Sequence, residues 1–505
     1  MLRIFLRFCL LIFTCIDLTK LEEGGAAMKK LFYMFIFAFP LTVFCQTACF
    51  TKTFGGAGHD FPYSVQQTTG EGYIIAGLID SHGGESADRA DLWIVKLDRM
   101  GEIEWEKTYG GDLGDVGFSI RQIPGKGYIV AGTSSSFGKR NPSAWILYLD
   151  NKGDTLWTRL FEGRMDSYAR SVQVTLDSGY IIAGKGDENI LKLNKDGKKE
   201  WGRRYGWIFN SVDQTSDGGY ILGGDSIYKQ LEWDYIPTLT VVKTDREGNL
   251  EWKNPFGSVF PGSANSVEQT SDGGYIIAGD SIYMKPGNEH AHYLMVGKLD
   301  RNGNRLWTYY GNEYSGAQSV RQTSDEGFII SGNSIDAEHG LDVLLVRLNK
   351  SGEKIWSKTF GESDGWEYAS DALQTSDNGY MVAAQADSYG AGRYDWWVLK
   401  LDENGNGPGP TGIPELYNAD FTLWQNYPNP FRFSTAIRFS LPQPGFVTLK
   451  IYNLSGQEIE SVTSRYYPQG EFLEIWNPAG HSGGIYLLRL QYGDKFQSRK
   501  MILLE

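Results

Sequence analysis

Histidine is scarce in this chain, with six residues in 505, so any imidazole chemistry rests on few positions. His82, His290, His292 and His339 fall in segments that read as loops, and Glu289-His290-Ala291-His292 is a local cluster. A zinc site needs three or four such ligands converging on one point. These four are spread over three sequence repeats, so no metal site and no cofactor are expected. Acids such as Asp80, Glu85, Asp115 and Asp166 occupy loops of the same kind. Two carboxylates converging across a pocket would suffice for glycoside hydrolysis, yet no local pattern marks such a pair and the catalytic residues stay unassigned. A nucleophile elbow between a strand and a helix, a phosphate loop and a His-Glu-x-x-His motif are all missing from the sequence. The better chemical signal is aromatic. Trp207, Trp233, Tyr235, Trp366 and Tyr389 stand in loops beside carboxylates and amides. A ring so placed can stack on the apolar face of a sugar, which makes these five the candidate ligand-binding residues. The competing reading is that each ring packs under its own loop.

Those loops are set by a repeat, which decides the fold before any local propensity does. A Gly-aromatic pair recurs at Gly72-Tyr73, Gly127-Tyr128, Gly179-Tyr180, Gly219-Tyr220, Gly274-Tyr275, Gly327-Phe328 and Gly379-Tyr380, in steps of 55, 52, 40, 55, 53 and 52 residues. A second block follows with Trp105, Trp157, Trp201, Trp252, Trp307 and Trp356. Each unit reads as four short strands, A to D, with Asp-Gly or Asn-Gly turns between alternating apolar runs. Repeated four-stranded units of about 50 residues make a β-propeller. The seventh unit lacks its strand D, and "FTKTFGG" before the first unit matches "WSKTFGE", with Phe50 in the tryptophan place. The expected fold is therefore all-β: a seven-bladed β-propeller whose N-terminal strand closes the last blade. An open solenoid is the alternative. Tight A–B and C–D turns fall on one face, and the variable B–C loops and D–A connections on the other, where function is expected.

The Thr-x-Asp-x-Gly turn, as at Thr215, Asp217 and Gly219, resembles in part the Asp-box hairpin of sialidase-like propellers. That resemblance implies a structural turn remote from any active site. Asp300-x-Asn302-x-Asn304 has the look of a calcium loop, but no bidentate acid follows at the expected spacing, and a plain turn is the reading.

Charge and cysteines narrow the setting. Lys+Arg 48 against Asp+Glu 61 gives −13. The first 45 residues hold five bases and three acids, so removing them leaves −15. Such a field disfavours nucleic acid and anionic membranes as partners. Cys9, Cys15, Cys45 and Cys49 all lie in the first tenth of the chain, so the body has no disulfide framework. Met28-Lys29-Lys30 and the apolar run Leu31 to Phe44 have the form of a signal peptide. Residues 1–45 read as leader and signal peptide, 46–407 as propeller, 408–421 as linker and 422–505 as a final domain; within the first, 1–27 are either upstream of a true start at Met28, the favoured reading, or an extended leader. The mature chain is expected to lack a transmembrane span and to be a monomer.

That final stretch alternates strictly, with Val447, Leu449 and Ile451 on one strand face, and reads as a small immunoglobulin-like β-sandwich. It resembles the type A C-terminal sorting domain of type IX secretion substrates. The likeness rests on Asn426, Tyr427, Pro428, Asn429, Pro430 and Phe431, on "LKIYNLSG" from Leu449, on Gly484-Ile485-Tyr486, and on Arg499-Lys500 before a terminal apolar run. The resemblance covers the last sixth of the chain. It implies export through the type IX secretion machinery, then release or attachment to surface lipopolysaccharide. The repeat block also resembles "SDGGYIIAG" repeats of other secreted bacterial proteins, a likeness that implies a propeller and no activity.

Together these readings describe a secreted or cell-surface binding protein whose ligand is a carbohydrate or a surface protein. A propeller polysaccharide hydrolase and a structural surface component are the alternatives. Binding is favoured over catalysis.

Overall fold

Alternation of apolar residues every second position, broken by Gly, Asp and Asn, makes strands the expected elements of the repeats and of the final domain. The computed structural model describes residues 49–407 and 421–504, apart from 57, 81–88, 139–141, 164–165, 232–233, 256–261, 285–289, 337–339, 362–364, 391–392, 427–428, 433–434, 442–444, 468–469, 479 and 494. The leader, the linker, His82, His339, Trp233, Tyr427 and Pro428 lie outside the described residues. No α-helix occurs among those described, and none is long and apolar enough to cross a membrane.

Residues 50–401 form seven four-stranded antiparallel sheets. In the first, A to D are Phe61–Gln67, Tyr73–Ile79, Asp91–Leu97 and Ile103–Tyr109. In the seventh, A to C are Glu367–Gln374, Tyr380–Ala386 and Asp395–Leu401, and Phe50–Phe54 pairs with the last of these, Phe50 opposite Lys400 and Phe54 opposite Trp396. The A strands contact their neighbours in an unbroken circuit that returns from the seventh sheet to the first. Sheets closed into a circuit in this way form a β-propeller, and an open solenoid is excluded.

The core is divided among the seams between sheets. The seam of sheets seven and one holds Phe50, Val65, Ile75, Trp93, Met381 and Trp396, and each of the other six seams has its own buried cluster. One packing device repeats at every seam. The strand-D aromatic of one sheet lies edge-on to the strand-B aromatic of the next, as in Trp105 on Tyr128, Trp252 on Tyr275 and Trp356 on Tyr380. It also sits beneath the next C–D turn, where a Cβ on Gly153, Gly303 or Gly405 would come within about 3 Å of the ring. Phe50 completes the series against Tyr73 and Gly101, which is why the six tryptophans need one phenylalanine.

A hydrogen-bonded girdle surrounds the axis. Ser64 Oγ accepts from Ile120 N, Ser119 from Val172 N, Ser171 from Val212 N, Ser211 from Val267 N, Ser266 from Val320 N and Ser319 from Ala372 N. Asp371 closes it by accepting from Val65 N. Every A strand also carries a bulge just before its girdle residue.

The box turns are structural too. Asp217 Oδ1 accepts from Thr215 Oγ1 and Gly219 N, and its carboxylate pairs at 2.9 Å with Lys243, whose ammonium is buried under strand C. Lys192–Asp177, Lys298–Asp272, Arg347–Asp325 and Lys400–Asp377 repeat the pair. A Cβ on Gly219 would lie 2.2 Å from Thr244 O and 2.6 Å from Lys243 Nζ, so the second glycine of the block is a requirement of close approach. Asp300 spends its carboxylate on Asn302 N, Asn304 N and the Asn304 amide, in an ordinary turn.

Residues 422–503 form a three-stranded and a four-stranded sheet. They share one core, which includes Phe431, Ile437, Phe439, Leu449, Trp476 and Leu490.

Candidate ligand-binding site

The face with the C–D turns repeats one turn in every sheet, so recognition must be sought where the sheets differ most. B–C hairpins set the relief of the other face. In the fourth sheet the hairpin strands are Tyr220–Leu231 and Asp234–Thr244, and in the fifth Tyr275–Met284 and His290–Leu299. In the third they shrink to Tyr180–Lys185 and Ile190–Leu193. The repeat step of 40 residues thus leaves a low place beside two tall hairpins.

Two regular devices also fail at the seam of sheets two and three. Glutamines on strand A elsewhere accept from a turn nitrogen of the preceding sheet, as in Ser216 N to Gln269 and Ser376 N to Gln67. Val174 occupies that place in the third sheet and cannot accept. Tyr148 in the second sheet replaces the buried strand-C lysine.

A cavity of about 260 Å³ opens at this seam. Its apolar lining includes Ala144, Phe161, Ala169, Ile182 and Leu191. Its polar lining includes Glu162, Ser167, Lys185, Asp187, Glu188 and Asn189. Tyr168 also lines it, half-buried, with the Lys185 ammonium 5.5 Å from its ring centre. Glu188 is held by Lys199, and Asn189 is fixed by accepting from Tyr205 N and donating to Trp207 O. Aromatic contact continues from Tyr168 to Phe118 and on to Tyr63, centroids 6.5 and 5.1 Å apart. Phe118 and Tyr63 are the bulge residues of the second and first A strands. Burial pushes the Tyr63 phenol up to about 12.

A second polar cluster lies on the A strands themselves. The position two after each girdle residue reads Gln66, Arg121, Gln173, Asp213, Glu268, Arg321 and Leu373. Arg121 donates to Gln173 and to Ile120 O, and Arg321 pairs with Asp371 at 3.4 Å. Burial, and then the charge of Arg321, draws Arg121 down to about 10. Asp371 holds Arg321 above its usual value. Burial lifts Glu268 to about 7 against the pull of Arg321, and lifts Asp213 as well. This layer was missed in the sequence. Its signal was variation at one position inside an otherwise repeated block.

Of the aromatic candidates, Trp207, Trp366 and Tyr389 have described side chains, and these fall at two different seams. Trp207 stacks on Tyr205 at 5.5 Å and 6°, packs on Phe209 and lies under Lys253. Tyr389 stacks on Trp397 at 4.7 Å. Trp366 is the open one, 52% exposed, with its backbone N–H on Asp387. Trp366 and Tyr389 share the seam of sheets six and seven, whereas Tyr235 lies on the fourth-sheet hairpin, its side chain outside the described part. The cluster at His290 and His292 sits on the fifth-sheet hairpin.

In the last domain Asn426 is buried and its amide donates to Thr435, and Asn429 accepts from Ile502 N and donates to Lys500 O across a cis bond to Pro430. Phe431 packs edge-on to Trp476, and Tyr486 caps the same core and donates to Ser482 O. Gly484 opens the strand Gly484–Tyr492. The motif residues thus tie the segment before the sandwich to its last strand. Residues 425–504 match the family model of the secretion system C-terminal sorting domain. The chain carries a secretion sorting domain. Such a domain directs export to the cell surface or secretion by the type IX system. No curated protein is detectably similar to the chain in sequence. Among solved structures it is similar to PorZ, a surface component of the type IX secretion system of Porphyromonas gingivalis, at 10% identity and TM-score 0.40 over 90% of this chain and 60% of that one. It thus spans 60% of PorZ. The Neurospora crassa Pan2 WD40 domain is similar at 12% identity and TM-score 0.44, over 70% of this chain and 96% of that domain. YCF48 bound to a D1 peptide is similar at 9% identity and TM-score 0.42, over 71% and 96%.

Proposed function

We propose that this protein is a binding protein exported by type IX secretion and displayed on, or released from, the cell surface. A leader over 1–45 precedes a seven-bladed propeller over 46–407. A linker over 408–421 joins the propeller to an immunoglobulin-like sorting domain over 422–505. The machinery would engage that domain, with release or attachment to surface lipopolysaccharide following. The ligand is a glycan or a surface protein, met by a monomer through the variable face. The observation that carries this reading is the contrast between the two faces: one repeats the same C–D turn in all seven sheets and the Thr-x-Asp-x-Gly turn in five, while the B–C hairpins of the other range from Tyr180–Lys185 with Ile190–Leu193 to Tyr220–Leu231 with Asp234–Thr244. Recognition on propeller scaffolds needs that combination of a rigid frame and variable connections. Further support comes from where the chain leaves the ring. Phe50 pairs with Lys400 at the C–D turn end of the seventh sheet, so both ends of the propeller depart from the regular face. A sorting domain tethered there leaves the variable face outward. Immobilised full-length protein, probed with glycan and surface-protein arrays and assayed for products, tests the proposal. Specific binding without turnover is expected. Released sugar products would replace it with a hydrolase.

A further inference from the structure

Resting on that binding role, we infer that the cavity between sheets two and three is a subsite for one neutral sugar residue at the end of a glycan. Size comes first. At about 260 Å³ the cavity falls just below the roughly 300–1,000 Å³ of sites that enclose drug-sized ligands, and suits one ring rather than a chain of them. Composition comes next. A pyranose has an apolar C–H face and a rim of hydroxyls, and the cavity lining combines apolar residues, among them Ala169, Ile182 and Leu191, with polar ones. Phe161 and Tyr168 supply aromatic surface. Lys185 supplies donors, and Glu162, Asp187 and Glu188 supply acceptors. Hydroxyls, which both donate and accept, match such a mixture better than a group of one kind. Charge sets the sign of the discrimination. With Glu188 paired to Lys199, Glu162 and Asp187 against the Lys185 ammonium leave the lining one charge negative, which disfavours a uronic or sialic acid within a chain of net charge −13. The wall is also fixed in advance, Glu188 by Lys199 and Asn189 by the Tyr205–Trp207 segment, so little order is lost on binding.

The test titrates methyl glycosides of neutral hexoses, N-acetylhexosamines and glucuronic acid into the full chain, read by ligand-observed NMR and calorimetry. At least one neutral glycoside should bind with Kd of roughly 0.1–10 mM, the range open to a single small ring, and the glucuronide at least tenfold more weakly. Lys185→Met and Glu162→Gln, both at the cavity mouth, should each weaken binding at least threefold with unchanged melting temperature. Neutral binding indifferent to both variants would overturn the cavity assignment while leaving the surface-binding role intact. Arginine amide binding in place of any glycoside, and lost in Glu162→Gln, would overturn the sugar and point to a basic protein segment. No binding by any of these probes, with glycan arrays silent as well, would remove the glycan reading altogether.

Discussion

At the scale of single residues, the repeat is held by backbone demands that side chains satisfy unequally. The fourth residue of each box turn takes a left-handed conformation, with Gly218 and Gly273 at φ of 84° and 80°. Ser178, Glu326 and Asn378 adopt the same turn at 64°, 66° and 66°. An L-residue pays roughly 1–2 kcal/mol there, of which glycine returns part through its own entropy. Ser178→Gly and Glu326→Gly should therefore each raise stability by up to about 1 kcal/mol in denaturant unfolding. Glu268 gives a prediction with a pH sign. It faces Arg321, Arg121 and Asp213 and accepts from Gln322 N, and burial raises its carboxyl to about 7. Between its unfolded value and 7 the folded state holds more protons than the unfolded one, so its penalty grows as pH rises through that window. Glu268→Gln should stabilise the protein more at pH 8 than at pH 5, and equal gains at both would refute this. Box carboxylates have the opposite sign. Asp177, drawn down to about 2 by Lys192, Thr175 and Gly179 against the opposing effect of burial, contributes stability that disappears as pH falls from about 4 towards 2.

At the scale of elements, each strand D acts on the following sheet as much as on its own. Phe50 is 8% exposed, wedged beneath Gly101 and against Tyr73. Phe50→Ala should cost about 3–5 kcal/mol, read as a lower denaturant midpoint, whereas Phe50→Trp should be tolerated. Strand count, turn chemistry and this closing strand were legible in the sequence because each depends on spacing between neighbours along the chain. Box aspartates were likewise readable as turn formers, although their buried lysine or arginine partners, 15 to 26 residues away, were not. The cavity was hidden for a different reason. It arises from what the third unit omits, and its lining comes from residues such as Ala144 and Leu191 that look like any other core. Loop aromatics drew attention by type alone, yet Trp207 and Tyr389 turn out to be stacked on neighbours. Among the described candidates, Trp366, with half its surface open, is the ring whose environment leaves it free for a ligand.

At the scale of the molecule, stability is distributed over seven seams instead of one centre, so the propeller does not draw on the sandwich for its core. A chain ending at residue 407 should accordingly unfold at the temperature of the full protein's main transition, while losing surface delivery, which calorimetry and fractionation of culture medium would check. The pairing that closes the ring also decides how the molecule bears load. Phe50–Phe54 and Asp395–Leu401 run antiparallel with their outer ends side by side. Tension applied between the two ends of the propeller would peel these strands apart one hydrogen bond at a time, the weak direction for a sheet. Tension between a ligand on the variable face and the chain leaving Leu401 runs along that strand instead, and must shear it past partners on both sides at once. A tether at the carboxyl end alone thus places the joint of the ring in the direction in which it is strongest.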